Sequence, residues 1–140
     1  MTIANLLGKR EVVSVGADAS VREVVALLAG HRIGAVPVLK DAAVVGIFSE
    51  RDMIHALVER GAAALDLPVG ERMTSPAITV DPGASVLGAL SLMTQRRIRH
   101  LPVIDGDRLV GFVSIGDLVK YRIDGIEAEA KAMRDYIQQA

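Results

Sequence analysis

The sequence predicts a mixed α+β fold made of two similar halves, each running β-α-β-β-α, followed by one further helix. The chain matches itself without gaps when it is shifted by 65 positions, from about Val15 against Val80 to about His55 against Lys120. Within each copy, the spacing of apolar residues changes in the same order between the period of a strand and that of a helix. Because one half has too little core to stand alone, we expect the two to pack sheet to sheet about a pseudo-two-fold axis.

Each copy begins with a short β-branched run, at residues 12–15 and 77–80, which predicts a strand. A turn then leads to a serine, Ser20 or Ser85, that can cap a helix. After each serine, apolar residues follow at i, i+3, i+4 and i+7, which predicts one buried helical face. These residues are Val21, Val24, Val25 and Leu28 in the first copy, and Val86, Ala89, Leu90 and Met93 in the second.

Each copy continues with a predicted hairpin and a second helix. Two short apolar runs separated by a polar turn are typical of an antiparallel hairpin, and helical spacing follows the second run. The strands are predicted at residues 35–39 and 44–48, and at 100–104 and 109–113, and the helices at 50–60 and 115–123.

The repeat predicts three parts: a first repeat at residues 1–61, a second at 62–123, and a helix at 124–140. An Ala-rich segment with Pro68 and Gly70 links the repeats. Apolar residues at helical spacing make the last helix amphipathic, so we expect it to pack on this chain or on a second subunit. They are Ile126, Ala130, Met133 and Ile137.

Composition excludes several classes of protein. The 140 residues carry 16 basic and 17 acidic side chains, so the chain offers no bulk attraction for nucleic acid or anionic lipid. With no Cys, a disulfide framework, a thiolate nucleophile and a Cys-ligated zinc site are excluded, and a reducing compartment is favoured. The sequence shows no secretory pattern and no apolar run of about 20 residues, so we expect a cytoplasmic protein without a membrane segment.

Two matching motifs stand where each hairpin meets its second helix. Residues 46–52 and 111–117 both read Gly-x-x-Ser-x-x-Asp. A hydroxyl and unpaired backbone N–H groups at a helix N-terminus favour an anion, and a carboxylate three residues on can accept from two vicinal hydroxyls. The same spacing is also a capping box that needs no ligand. The recurrence after matched strands favours ligand contact, and one residue can do both.

These motifs, the repeat order and the matching Pro-Val pairs at 37–38 and 102–103 make residues 1–123 similar to a tandem pair of CBS domains, also called a Bateman module. The resemblance implies a nucleotide-binding module without chemistry of its own, with adenosine-containing ligands in clefts between the repeats. It implies phosphate contacts at Ser49 and Ser114, ribose contacts at Asp52 and Asp117, and base-side walls at Ile33, Gly34 and Ala35 and at Ile98, Arg99 and His100.

Basic residues near the motifs add to this interpretation. Arg51 lies in the first turn of its predicted helix and is a further candidate phosphate contact. Residues 96–100 hold four cationic or protonatable groups, which suit either a phosphate site or a solvated helix end. Arg32 and Arg97 recur in both copies, which favours a structural role for them.

The two base-side walls differ in chemistry. Arg99 and His100 occupy the positions that Gly34 and Ala35 occupy in the first copy. Small residues let a base approach the backbone closely, whereas a cationic pair suits phosphates. The sequence therefore predicts two unlike sites.

No pattern of residues indicates an enzyme. His31, His55 and His100 lie far apart without metal-ligand spacing, and we expect His31 and His55 on the surface. Nucleophile elbows, Walker loops and dinucleotide fingerprints are absent from the sequence. We therefore expect no catalytic residues, no metal and no catalytic cofactor.

The sequence thus predicts a regulatory module that binds AMP, ADP, ATP or an NAD-type ligand and signals occupancy to a target protein on another chain. We expect a homodimer, because Leu27, Leu87 and Leu92 would be exposed in a monomer. The alternative is a ligand-free dimerisation or scaffold module. Nucleic-acid binding through residues 96–100 is disfavoured, because that segment lacks stacking aromatic residues.

Overall fold

The structure is a computed structural model that describes residues 1–8 and 11–139. Within these residues the fold is mixed α+β: the first repeat has the predicted β-α-β-β-α order, and the second has α-β-β-α, with an isolated bridge at Val80 in place of its first strand. The helices are α1 (Val21–His31), α2 (Glu50–Arg60), α3 (Val86–Arg96) and α4 (Ile115–Gln139), and the strands are β1 (Val15–Gly16), β2 (Ala35–Lys40), β3 (Ala43–Ser49), β4 (His100–Asp105) and β5 (Arg108–Ser114).

The two predicted hairpins are confirmed, and they have matching registers. Strand β2 pairs antiparallel with β3, and its register shifts between Val38 and Leu39. Strand β4 pairs antiparallel with β5 and shifts at the equivalent place, between Val103 and Ile104. Strands β3 and β5 contact each other, so the two small sheets meet along their hairpins.

The first strand of each repeat is shorter than predicted. Strand β1 contains only Val15–Gly16 and lies parallel to β2, with Val15 opposite Val38. In the second repeat this pairing shrinks to a single parallel bridge between Val80 and Val103. The preceding residues, 12–13 and 77–78, line clefts between the repeats instead of pairing with a strand.

The first helix of each repeat begins and ends in the same way. The Ser20 hydroxyl accepts a hydrogen bond from the Glu23 backbone N–H over 3.1 Å, and Ser85 caps α3 equivalently. Both helices end at an arginine in the left-handed region, Arg32 with φ 55° and Arg97 with φ 54°. Glycine is the usual residue at such a C-cap, so the recurring arginines mark equivalent helix ends.

The last helix of the second repeat continues through the predicted separate helix. We expected one helix at 115–123 and another at 124–140, whereas α4 is continuous over Ile115–Gln139, and residue 140 lies outside the described residues. Gly125 does not interrupt it, although glycine costs roughly 1 kcal/mol in a helix. A Cβ at Gly125 would lie 3.1 Å from the Met1 side chain, so the glycine makes room for Met1.

Each repeat is completed by the segment that precedes the other one. Ile3 is fully buried in the core of the second repeat, and its backbone N–H bonds to the Ala84 carbonyl over 2.8 Å. Val69 is fully buried in the core of the first repeat, and its N–H bonds to the Ala19 carbonyl over 2.7 Å. Through this exchange each repeat packs against a segment that precedes the other repeat. The boundary between the repeats at residues 61 and 62 stays a prediction.

The surface differs from expectation on the first helices. Leu27 and Leu92 are partly buried against the two cores, so the expectation that a monomer exposes them is wrong. Leu87 is 57% exposed, as expected. Within the described residues, no helix combines the length and the apolar character needed to cross a bilayer.

Candidate functional site

One cleft between the repeats contains the first Gly-x-x-Ser-x-x-Asp motif. It has a volume of about 600 Å³, and we call it the Ser49 cleft. Ser49, Arg51 and Asp52 at the start of α2 form one side, and residues 96–100 of the second repeat form the other. A cavity of this size falls within the range of small-molecule sites.

A second cleft contains the second motif and has a volume of about 780 Å³. In this Ser114 cleft, Ser114 and Asp117 at the start of α4 face residues 31–35 of the first repeat. Each motif therefore lies opposite the wall that comes from the other repeat. This reciprocal arrangement follows from the two hairpins meeting side by side, and the order of residues along the chain does not reveal it.

The structure brings every predicted contact residue to one of these two clefts. Whether they contact a ligand stays a prediction. Those in the Ser49 cleft are Ser49, Arg51, Asp52, Ile98, Arg99 and His100, and those in the Ser114 cleft are Ile33, Gly34, Ala35, Ser114 and Asp117, with Gly34 and His100 lining both.

In the Ser49 cleft, the serine and the aspartate form a complete capping box. The backbone N–H and the hydroxyl of Ser49 donate to Oδ2 of Asp52 over 2.9 and 3.0 Å, and the Asp52 N–H donates to the Ser49 hydroxyl over 3.3 Å. Thr74 donates its hydroxyl hydrogen to Oδ1 of Asp52 over 2.8 Å. Both carboxylate oxygens therefore already accept hydrogen bonds from the protein.

In the Ser114 cleft, the matching pair makes fewer bonds. The Ser114 backbone N–H donates to Oδ2 of Asp117 over 2.9 Å, and the Asp117 N–H donates to the Ser114 hydroxyl over 3.1 Å. Among the described residues, no donor bonds to Oδ1 of Asp117. This oxygen can accept a ligand hydroxyl without displacing a protein partner.

The glycine of each motif lies where another part of the chain approaches closely, and at Gly46 the approaching atom belongs to the backbone. A Cβ at Gly46 would lie 2.7 Å from the Thr74 backbone oxygen, and one at Gly111 would lie 2.5 Å from the Leu7 side chain. Thr74 lies there because its backbone forms a bridge with Ile47 of β3. The missing side chain at Gly46 therefore lets the segment carrying Thr74 reach Asp52.

The two clefts differ strongly in charge. Four arginines line the Ser49 cleft, together with the acidic residues Glu50 and Asp52. None of the four forms an ion pair within the described chain. Among the described residues, the Ser114 cleft has one arginine, Arg32, together with Glu11 and Asp117. The arginines of the Ser49 cleft are Arg51, Arg96, Arg97 and Arg99.

His100 forms part of the wall between the clefts. Its ring stacks on Phe112, with ring centroids 5.5 Å apart and planes inclined by 12°. Burial lowers the pKa of His100 below its usual 6.5, the nearby carboxylates of Asp117 and Glu50 raise it, and Arg99 lowers it further. Burial is the largest of these causes, and repulsion by the Arg99 guanidinium is the smallest.

Sequence reasoning missed two residues that contact predicted site residues directly. Thr74 is 22 positions from Asp52, and no local pattern connects them. Phe112 alternates with buried residues of β5 and gives no sign that it stacks on His100. The repetition of Arg32 and Arg97 did give a signal, because each of them lines a cleft as well as ending a helix.

Comparisons with known proteins agree with this architecture. The family model described as "CBS domain" matches residues 5–59 and 69–124. A mitochondrial CBS domain-containing protein of Arabidopsis thaliana is 37% identical over 126 residues, which are 86% of this chain and 61% of the relative. The chain thus spans less than two thirds of that relative.

Two solved structures have the same fold. A CBS-domain containing protein from Agrobacterium tumefaciens is 40% identical, with a TM-score of 0.82 over 87% of this chain and 99% of that one. A CBS domain pair crystallised with 5'-methylthioadenosine and S-adenosyl-L-methionine is 24% identical, with a TM-score of 0.78 over 91% of this chain and 98% of that one. The chain belongs to the CBS domain family, and it contains two CBS domains in tandem.

Proposed function

We propose that this chain is a regulatory module that binds an adenine nucleotide in the clefts between its repeats and signals occupancy to a partner protein. The observation that carries the proposal is the composition of each cleft: the Ser–Asp pair comes from one repeat and the opposing wall from the other. A ligand that contacts both sides stabilises one relative position of the repeats. Binding energy is thereby converted into a change that a partner can recognise.

The chemistry of each motif supports a nucleotide. The start of α2 or α4 offers a hydroxyl, backbone N–H groups and the positive end of a helix dipole, which favour phosphate. The neighbouring carboxylate suits a ribose diol. The structure crystallised with 5'-methylthioadenosine and S-adenosyl-L-methionine shares only the fold at 24% identity, so adenosine binding is carried to this chain as a proposal.

The charge difference between the clefts supports different ligands. We assign the phosphate-rich nucleotide, with two or three phosphates, to the Ser49 cleft, because four arginines that form no ion pair within the described chain line it. The Ser114 cleft suits a ligand with fewer phosphates, since Arg32 is the one arginine that lines it among the described residues and Glu11 and Asp117 add negative charge.

A ligand-free scaffold is the second candidate, and two observations favour it. The Ser49–Asp52 pair is satisfied internally as a helix cap. Exposed apolar side chains on α2, such as Ile54 at 57% and Val58 at 81%, offer a surface for another chain. A homodimer is part of both candidates, and an unidentified target protein belongs to the regulatory one. A cytoplasmic location stays a prediction of the sequence.

Mass spectrometry of small molecules released from the purified chain, followed by calorimetry with AMP, ADP, ATP, NAD and S-adenosylmethionine, tests the proposal. We expect at least one adenine nucleotide to bind, and its affinity to fall in Asp117→Ala. The matched control is Asp107→Ala, an exposed carboxylate outside both clefts. Absence of binding across the panel, with no nucleotide retained, would leave the scaffold function.

A further inference from the structure

The second half of α4 projects away from both cores. Residues 127–139 are all exposed, and the last partly buried residue of this helix is Gly125. An isolated helix of this length is marginal in water, because too few backbone bonds form to offset nucleation. The projecting segment therefore needs a partner surface.

The exposed face of α4 carries a regular apolar pattern. Six apolar residues follow one another at alternating spacings of four and three, which is the a and d pattern of a heptad repeat. A globular surface helix has a wider and less regular stripe. Ile126 is 47% exposed, Met133 61% and Ile137 64%, so the pattern has no partner within the described chain. The six residues, which we call the α4 seam, are Val119, Ile123, Ile126, Ala130, Met133 and Ile137.

The charges beside the seam select the same helix of a second copy, in parallel. At the flanking e and g positions, a parallel pair in register places Arg122 against Glu127 of the second copy. It likewise places Glu129 against Arg134 of the second copy. Both contacts join opposite charges.

An antiparallel pair of α4 helices whose seams overlap over their full length would instead bring like charges together. In that arrangement Glu129 faces Glu129 of the second copy, and Lys120 faces Arg134. Both contacts join like charges, which disfavours this orientation. From the heptad spacing, the exposure and these charges, we propose that α4 forms a parallel two-stranded coiled coil with a second copy of this chain. The proposal does not depend on nucleotide binding.

Cysteine cross-linking of the full chain tests the orientation. The natural chain has no Cys, so Met133→Cys introduces a single thiol at a d position. In the parallel pair, residue 133 meets its own counterpart, and oxidation should convert most of the protein to a covalent dimer. The control Ala132→Cys lies one position off the seam and should cross-link at least about tenfold more slowly. Equal cross-linking of the two variants overturns the proposal.

Sedimentation equilibrium over a concentration series tests the seam. Met133→Glu and Ile137→Glu each place a charge on it at an exposed position, so the repeats should keep their fold, which circular dichroism checks. We expect each to raise the dimer dissociation constant at least about tenfold. Ala132→Glu, the matched control, should leave it within about twofold.

The exposed apolar face of α2 is the competing candidate for the dimer interface, and a substitution there gives the result that would contradict the proposal. Val58→Glu alters the α2 surface, where Val58 is 81% exposed. If Val58→Glu separates the copies while Met133→Glu leaves the dissociation constant unchanged, the interface is the α2 face and the coiled coil is wrong. A monomeric mass for the natural chain at tens of micromolar also overturns it.

Discussion

Thr74 donates its hydroxyl hydrogen to Oδ1 of Asp52 over 2.8 Å, and no described residue makes the corresponding bond to Asp117. The bond connects the segment after residue 73 to the start of α2 and fixes the orientation of the carboxylate. The two carboxylates proposed to contact ribose therefore differ in their hydrogen bonding before any ligand binds. Asp52 is already held by the protein, whereas Asp117 has one oxygen open.

Replacing the Thr74 hydroxyl tests this bond. Thr74→Val keeps the shape of the side chain and removes the donor, so we expect the free energy of unfolding to fall by about 0.5–1.5 kcal/mol. Urea denaturation without ligand measures it. Thr79→Val, at an exposed threonine, is the matched control and should change stability by less than about 0.5 kcal/mol. Equal losses in the two variants would mean that the Thr74–Asp52 bond contributes nothing specific.

Replacing each aspartate should separate the capping role from ligand contact. We expect Asp52→Ala and Asp117→Ala each to weaken one binding event about ten- to a hundred-fold, or roughly 1.5–3 kcal/mol, while the other event persists. Without ligand, Asp52→Ala should lose more stability, because Asp52 accepts bonds from both Ser49 and Thr74. Calorimetry and urea denaturation measure the two effects. If both variants lose only stability and bind normally, the carboxylates are caps alone.

The sequence was sufficient for the features that depend on local pattern. The helix at 50–60, the two hairpins and the caps at Ser20 and Ser85 follow from spacing and turn chemistry within a few residues, and the structure has them at those places. The continuity of α4 was missed because Gly125 and Asp124 resemble a helix end. One glycine costs a helix only about 1 kcal/mol, which is too little to end it, and a Cβ at Gly125 would lie 3.1 Å from the Met1 side chain.

Features that depend on distant contacts could not be read from the sequence. Ile3 and Val69 look like ordinary apolar residues near a turn, yet each completes the core of the other repeat. The pairing of each motif with the opposite wall, and the bond from Thr74 to Asp52, depend on the same exchange. Periodicity describes which face of an element is buried, but not which element covers it.

The glycine of the first motif allows a prediction of stability with an internal control. Gly46→Ala places a Cβ 2.7 Å from the Thr74 backbone oxygen, so we expect a loss of about 1–3 kcal/mol. Gly30→Ala makes the same chemical change in α1, where a Cβ would meet nothing within 4 Å. It should stabilise the chain by about 0.5–1 kcal/mol, because alanine favours a helix. Thermal unfolding measures both signs, and a loss in both variants would contradict the close approach at Gly46.

The charge difference between the clefts predicts a change in selectivity. Arg99→Gln removes one guanidinium from the Ser49 cleft, so we expect the affinity for ATP to fall about tenfold while adenosine binding changes little. Arg108→Gln removes the same charge from an exposed position outside both clefts and is the control. Calorimetry at fixed ionic strength gives the ratio of ATP affinity to adenosine affinity for each variant, and this ratio checks the prediction. An equal drop in ATP affinity for both variants would indicate a general effect of net charge.

His100 provides a test through pH, because its charge can change near neutral pH. In the empty protein, burial lowers the pKa of His100, so the ring is mostly neutral at pH 7. A phosphate placed beside it favours the imidazolium and raises the pKa in the bound state. At any pH between the lowered pKa of the unbound protein and the raised pKa of the complex, His100 takes up a proton when the ligand binds. Affinity for a phosphate-bearing ligand should therefore rise as pH falls from about 8 to about 6.

Nucleotide phosphates also titrate near pH 6, so the natural chain alone does not isolate the histidine. His100→Asn keeps a donor but cannot ionise, and its affinity should depend less on pH than that of the natural chain with the same ligand. His55→Asn removes an exposed histidine outside both clefts and should leave the pH profile unchanged. Calorimetry in buffers of different ionisation enthalpy counts the protons taken up and should show fewer for His100→Asn. If the profiles of His100→Asn and the natural chain overlay, then His100 does not contact phosphate, and its stacking on Phe112 is its structural role.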